Sequence, residues 1–128
     1  MTTRFFPYDL DTRFKPIWWP LGVGGDDGVT VDDDMVIATY GWAKLSTPRA
    51  NVRGAHLTEQ YRWYTSVGIR LSFADDGLTF GTTNTRGVCI HFHEPVGGVI
   101  PTRRHSALTV TIEDCSGLIE LLGHDEPR

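Results

Sequence analysis

The sequence predicts a mainly β protein, a small antiparallel barrel or sandwich of about seven strands with one C-terminal α-helix. Three observations carry this. Apolar and polar residues alternate in short runs, clearest where Ile69, Leu71 and Phe73 interleave with Arg70, Ser72 and Ala74, the period-two pattern of a half-buried strand. Turn residues such as Asp75-Asp76-Gly77 separate the runs, with glycine where positive φ is wanted. The period then changes at Asp114. Leu108, Val110 and Ile112 alternate with Thr109, Thr111 and Glu113, whereas Leu118, Ile119, Leu121 and Leu122 fall at helical spacing and Gly123 follows as a stop.

In chain order, Met1 to Leu21 is rich in aromatics and proline, which excludes a regular helix through the segment and predicts an extended arm laying its rings on the sheet. Strands are expected at Gly28 to Val31, Met35 to Tyr40 and Ala43 to Thr47, with Asp32-Asp33-Asp34 and Gly41-Trp42 as the reversals. Pro48 breaks the run. Val52 to Thr58 resumes it, with Ala55 and Leu57 facing one way. After the strand at Ile69, Leu78 to Thr82 pairs back, and Asn84 to Gly87 makes a further turn. Val88, Ile90 and Phe92 then alternate with Cys89, His91 and His93. Pro95 to Pro101 reads as a loop continuing through Thr102 to Ser106 into the last strand. Asp114 suits the N-cap of a helix over Cys115 to Leu122, with Leu118, Ile119 and Leu122 facing the core.

A chain of 128 residues is long enough for one core and too short for two. Residues 1–128 are expected to form one domain, with about 13–123 as folded core and 1–12 and 124–128 as terminal arms. The formal net charge of -4 argues against broad nucleic-acid binding. No apolar run approaches the ~20 residues of a membrane span, and charges and prolines interrupt the N-terminus where a secretory leader needs an apolar stretch. With only Cys89 and Cys115, two free thiols in a reducing, cytoplasmic setting are expected.

The succession of about seven antiparallel strands and one amphipathic helix resembles a pleckstrin-homology-like bacterial domain, in which the helix plugs an open end. Met35-Val-Ile-Ala-Thr-Tyr-Gly-Trp-Ala-Lys-Leu-Ser-Thr-Pro-Arg-Ala-Asn-Val52 is similar to a strand-turn-strand of that fold, as is the ending from Leu108 to Leu122. Gly68 to Gly81 and Val88 to Phe92 look like a group of actinobacterial proteins. The resemblance covers about Arg13 to Gly123. It implies a binding fold, and lipid-headgroup members of that fold hold phosphates with basic residues on and between their first two strands. Here the matching hairpin is Thr30-Val-Asp-Asp-Asp34, which repels an anionic headgroup. No lipid-binding residue carries over.

Two constellations bear on chemistry. Cys89, His91 and His93 share one strand face, with outer Cβ atoms ~13 Å apart. A metal there needs a further ligand from a neighbouring strand, such as His56 or His105; otherwise the row is a solvated polar face. Arg49, Arg53, Arg62, Arg103 and Arg104, with Trp63, are candidates for an anion or partner site, provided they converge. Asp75 and Asp76 are read as turn residues, and Cys115 as a small filler near the barrel end, the alternative being a thiol acidified by the helix dipole. No nucleophile-elbow, phosphate-loop or zinc-protease motif occurs. The expectation is a non-catalytic module binding a protein or peptide, with Trp18, Trp19, Tyr61, Trp63 and Tyr64 as anchors where exposed. It is expected to bind no nucleic acid and no membrane strongly, and to be capable of self-association. The alternative is a small-molecule carrier or metal-dependent enzyme built on Cys89, His91 and His93. No cofactor is assigned.

Overall fold

A computed structural model describes residues 3–59, 68–71, 77–83, 86–99 and 104–123. The first half of the chain folds into an antiparallel sheet of β1 (Arg4–Pro7), β2 (Gly28–Val31), β3 (Met35–Tyr40) and β4 (Ala43–Pro48), adjacent in sequence order. Period two is visible in the burial. Val29, Val31, Val36, Ala38, Tyr40, Ala43 and Leu45 point inward while Lys44 and Ser46 stay wet, as a sheet with one covered face requires. Between β1 and β2, Pro16 sits in the first turn of a short helix α1 (Lys15–Trp18), where its missing N–H is harmless.

The second sheet holds β5 (Val52–Glu59), β6 (Gly68–Leu71), β7 (Leu78–Gly81), β8 (Arg86–Val96) and β9 (His105–Val110), in the order β5-β8-β9-β7-β6. Its buried side comes from Ala55, Leu78, Phe80, Val88, Ile90, Phe92, Leu108 and Val110. The two sheets enclose one continuous apolar core. Tyr40 joins them: its ring stacks on Phe80 at 5.3 Å, Tyr8 meets it edge-on at 5.5 Å, and its hydroxyl donates to the Gly81 carbonyl at 2.5 Å.

The C-terminal helix α2 spans Cys115–Leu122, as the spacing predicts. Asp114 caps it by accepting from Gly117 N–H at 3.0 Å, and Gly123 leaves it at φ 93°. Leu118 is fully buried, Ile119 and Leu122 pack against the core, and Ala55 N–H donates to the Gly123 carbonyl at 2.8 Å, fastening the helix end to β5.

Three expectations are corrected. Nine strands, rather than about seven, are present among the described residues. They form two sheets around one core, the sandwich alternative, linked by an isolated antiparallel bridge between Tyr8 and Ile112, and no closed barrel forms among the described residues. The pairing is not purely antiparallel: β9 inserts between β7 and β8 and runs parallel to β7, with Leu78 opposite Leu108 and Phe80 opposite Val110. Alternation states which residues share a face but not which strand lies alongside. The segment before Arg13 is more than an arm, since β1 pairs with β2 from Arg4 opposite Val31 to Pro7 opposite Gly28.

Smaller differences follow from the same local bias. β8 continues through Pro95 to Val96, and His105 and Ser106 belong to β9. Leu57 shares the side of Ala55 in the strand alternation yet is 42% exposed, lining a shallow cleft with Cys115 and Ile119 beside the start of α2.

Candidate functional site

β5 and β8 are antiparallel neighbours, with Ala55 opposite Ile90, His56 opposite Cys89 and Gly54 opposite His91. Because Ala55, Val88, Ile90 and Phe92 are buried, strand alternation sends His56, Cys89 and His91 to the other face. All three are half-buried, and one ligand atom from each lies within 4.8 Å of the other two. His91 Nε2 and His56 Nδ1 are 2.9 Å apart, so one ring donates to the other. The rings stack at a centroid distance of 4.8 Å and an interplanar angle of 22°. Directly opposed and diagonal side chains on paired strands come within reach of one another, and this register uses both relations at once.

The structure thus joins Cys89 and His91 to His56 across the ladder. His93 is exposed further along β8 and stands outside this group, and His105 is buried at the start of β9 opposite Val96. His56 was legible only as one of two possible extra ligands, since nothing local in the sequence records its register with β8.

Of the arginine set, Arg49, Arg53 and Arg104 lie among the described residues. Arg49 points its guanidinium at backbone, donating to the Asp32 carbonyl at 3.2 Å and to the Leu121 carbonyl at 3.1 Å. It therefore ties the β2–β3 turn to the C-terminal end of α2, where a cation also meets the negative pole of the helix. Arg53 is exposed on β5, and Arg104 is exposed just before β9. Arg62, Trp63 and Arg103 lie outside the described residues, as do Tyr61, Tyr64, Asp75 and Asp76.

Asp32 accepts from the N–H groups of Asp34 and Met35, each at 2.7 Å, and these bonds hold its carboxyl below the usual carboxylate range. That is turn chemistry. Cys115 is buried, its Sγ donates to the Ile112 carbonyl at 3.3 Å, and burial pushes its thiol up.

A second feature was only partly visible in the sequence. Trp18 is buried, with its indole N–H donating to the Asp11 carbonyl at 2.9 Å. Trp19 and Trp42, by contrast, are 64% and 66% exposed. Trp19 begins a 3-10 turn, Trp19–Leu21, and Trp42 occupies the β3–β4 turn. The two turns touch: Trp42 N–H donates to the Leu21 carbonyl at 3.4 Å. Gly41 is required there, because it sits at φ 59° and a Cβ would fall 2.0 Å from the Leu21 oxygen. Two indoles are thereby presented from one locked junction.

No family model, curated protein or solved structure matches this chain, so its site is defined by its own geometry.

Proposed function

We propose that the chain is a non-catalytic interaction module that docks a protein or peptide through the junction bearing Trp19 and Trp42. The observation that carries this is the exposure of two tryptophans on turns held against one another. Tryptophan is highly buried on average, and at interfaces it is the residue type most often found carrying binding energy. Rigid presentation lowers the ordering entropy of docking. Pro20, exposed between them in sequence, and the half-buried Leu21 extend the apolar surface.

Kinship with pleckstrin-homology-like domains fits this reading, supported by the β-rich layout with one C-terminal helix. The acidic Asp32-Asp33-Asp34 turn and the backbone-directed Arg49 favour a protein partner over a lipid headgroup.

Selection from a displayed random peptide library tests the proposal. Selected peptides should bind the wild-type chain at least about 30-fold more tightly than Trp19→Ala or Trp42→Ala, as loss of an interface anchor of ~2 kcal/mol or more requires. Both variants should keep the wild-type unfolding midpoint, because exposed side chains contribute little to stability. Peptides that bind the double variant equally well, or a library that yields none, overturn the reading.

A further inference from the structure

We propose that His56, Cys89 and His91 form a binding site for one divalent metal ion of the borderline, zinc-like class. This stands independently of the aromatic junction and concerns the opposite half of the chain.

Donor chemistry selects the ion. Two imidazoles and a thiolate suit zinc and its d-block neighbours, whereas magnesium and calcium demand oxygen ligands, and the cluster contributes none. Geometry comes next. Tetrahedral zinc with Zn–N of about 2.0–2.1 Å and Zn–S of about 2.3 Å places nitrogens about 3.3 Å apart and nitrogen and sulfur about 3.6 Å apart. The imidazole nitrogens stand at 2.9 Å, and each ligand atom is within 4.8 Å of the others. Loading therefore needs the rings to part by about 0.4 Å and the thiol to swing inward, movements that side-chain rotation supplies without disturbing the ladder. The backbone beneath is paired, with His56 opposite Cys89, so the donors project from a stiff platform.

The proton balance is simple. The metal-free pair shares an N–H between His56 and His91. On loading, the ring that carries this hydrogen moves it to its far nitrogen, freeing both facing lone pairs, and the Cys89 thiol releases its proton to solvent. One proton leaves per ion bound, and no electron is transferred. Three protein ligands leave a fourth position for water or an external ligand.

The test uses the full chain purified without a polyhistidine tag, titrated with Co²⁺ and followed by absorbance, then with Zn²⁺ in competition. One Co²⁺ per chain should bind, with a thiolate-to-cobalt charge-transfer band in the near ultraviolet and intense tetrahedral bands in the visible. Zn²⁺ should displace it. Cys89→Ser should abolish the charge-transfer band. His56→Ala and His91→Ala should each weaken binding by about 100-fold or more, since even outer-sphere partners of metal ligands typically contribute 10–100-fold. His93→Ala should leave affinity and spectrum unchanged. Circular dichroism of each variant without metal separates loss of ligand from loss of fold, and Cys89→Ser, nearly isosteric, is the variant expected to stay folded. Failure of the folded wild-type chain to bind Co²⁺ or Zn²⁺ overturns the proposal, and so does binding that survives Cys89→Ser with its spectrum intact.

Discussion

Tyr8 and Tyr40 are buried neighbours whose hydroxyls meet different surroundings. Tyr40 donates to the Gly81 carbonyl and so bridges the sheets, whereas the Tyr8 hydroxyl has no hydrogen-bond partner among the described residues. Burial, reinforced by Tyr40 and Asp27, pushes the Tyr8 phenol well above its ordinary range, and it stays neutral throughout the physiological pH range. Deleting a hydroxyl that satisfies a buried carbonyl leaves that carbonyl desolvated and unpaired; deleting one without a partner removes a polar atom from an apolar site. Tyr40→Phe should therefore destabilise the chain by about 1–2 kcal/mol, and Tyr8→Phe should be neutral within about 0.5 kcal/mol or stabilising. Urea unfolding with an unchanged slope is the measurement. Equal losses in the two variants would contradict the assignment of the inter-sheet bond to Tyr40. At the same scale, Arg49 shows what residue type alone conceals: a guanidinium that reads as an anion ligand instead serves two carbonyls far apart in sequence.

Elements whose signals are local were legible, and those defined by distant partners were not. The cap at Asp114, the helical spacing of Leu118, Ile119 and Leu122 and the stop at Gly123 all lie within ten consecutive residues, so α2 was read with its observed bounds. β2 and β3 were legible for the same reason. The insertion of β9 between β7 and β8 was not, because pairing is settled by packing across the whole core. The cluster shares that fate: Cys89 and His91 follow from alternation within one strand, while His56 joins them only through the β5–β8 register. Asp11 shows a further local device, capping the 3-10 turn Thr12–Phe14 by accepting from Arg13 N–H at 3.0 Å. Its carboxylate also receives the Arg13 guanidinium at 2.7 Å and the Thr83 hydroxyl at 2.8 Å. Led by the Arg13 side chain, these bonds lower its pKa from 3.8 to about 2. A depressed carboxylate stabilises the fold above its unfolded pKa, and that contribution disappears as pH falls through the folded value. The wild type should thus exceed Asp11→Asn by on the order of 1 kcal/mol near neutrality, discounted for the solvent that screens Arg13. The gap should close as pH is lowered from about 4 to about 2. Chemical denaturation of both proteins across that range checks it, and a gap independent of pH would assign the contribution to packing.

Viewed as a whole, the molecule places its chemistry on separate surfaces of a two-sheet core. The indole junction belongs to the first sheet and its preceding turn, and the histidine-cysteine cluster to the outward face of the second. Charge distribution then decides how such a body meets a membrane surface. The net charge is -4, and the β2–β3 turn carries Asp32, Asp33 and Asp34. The Met35 and Asp34 N–H groups favour the ionised form of Asp32. Arg49, which donates to this turn, has both terminal nitrogens turned to carbonyls. Each basic residue at an anionic surface contributes about 1 kcal/mol, and this end of the molecule offers repulsion in place of several such contributions. Trp19 and Trp42 supply apolar area, but two indoles alone do not provide the second signal that stable membrane attachment requires. Vesicles containing phosphoinositide should therefore fail to co-sediment the chain at physiological salt. They should still fail when ionic strength is reduced, because unscreening strengthens repulsion as readily as attraction. Saturable co-sedimentation that rises at low salt and is lost in Arg104→Ala would show instead that arginines outside this turn assemble an anionic-surface site, and would move the binding face away from the indoles.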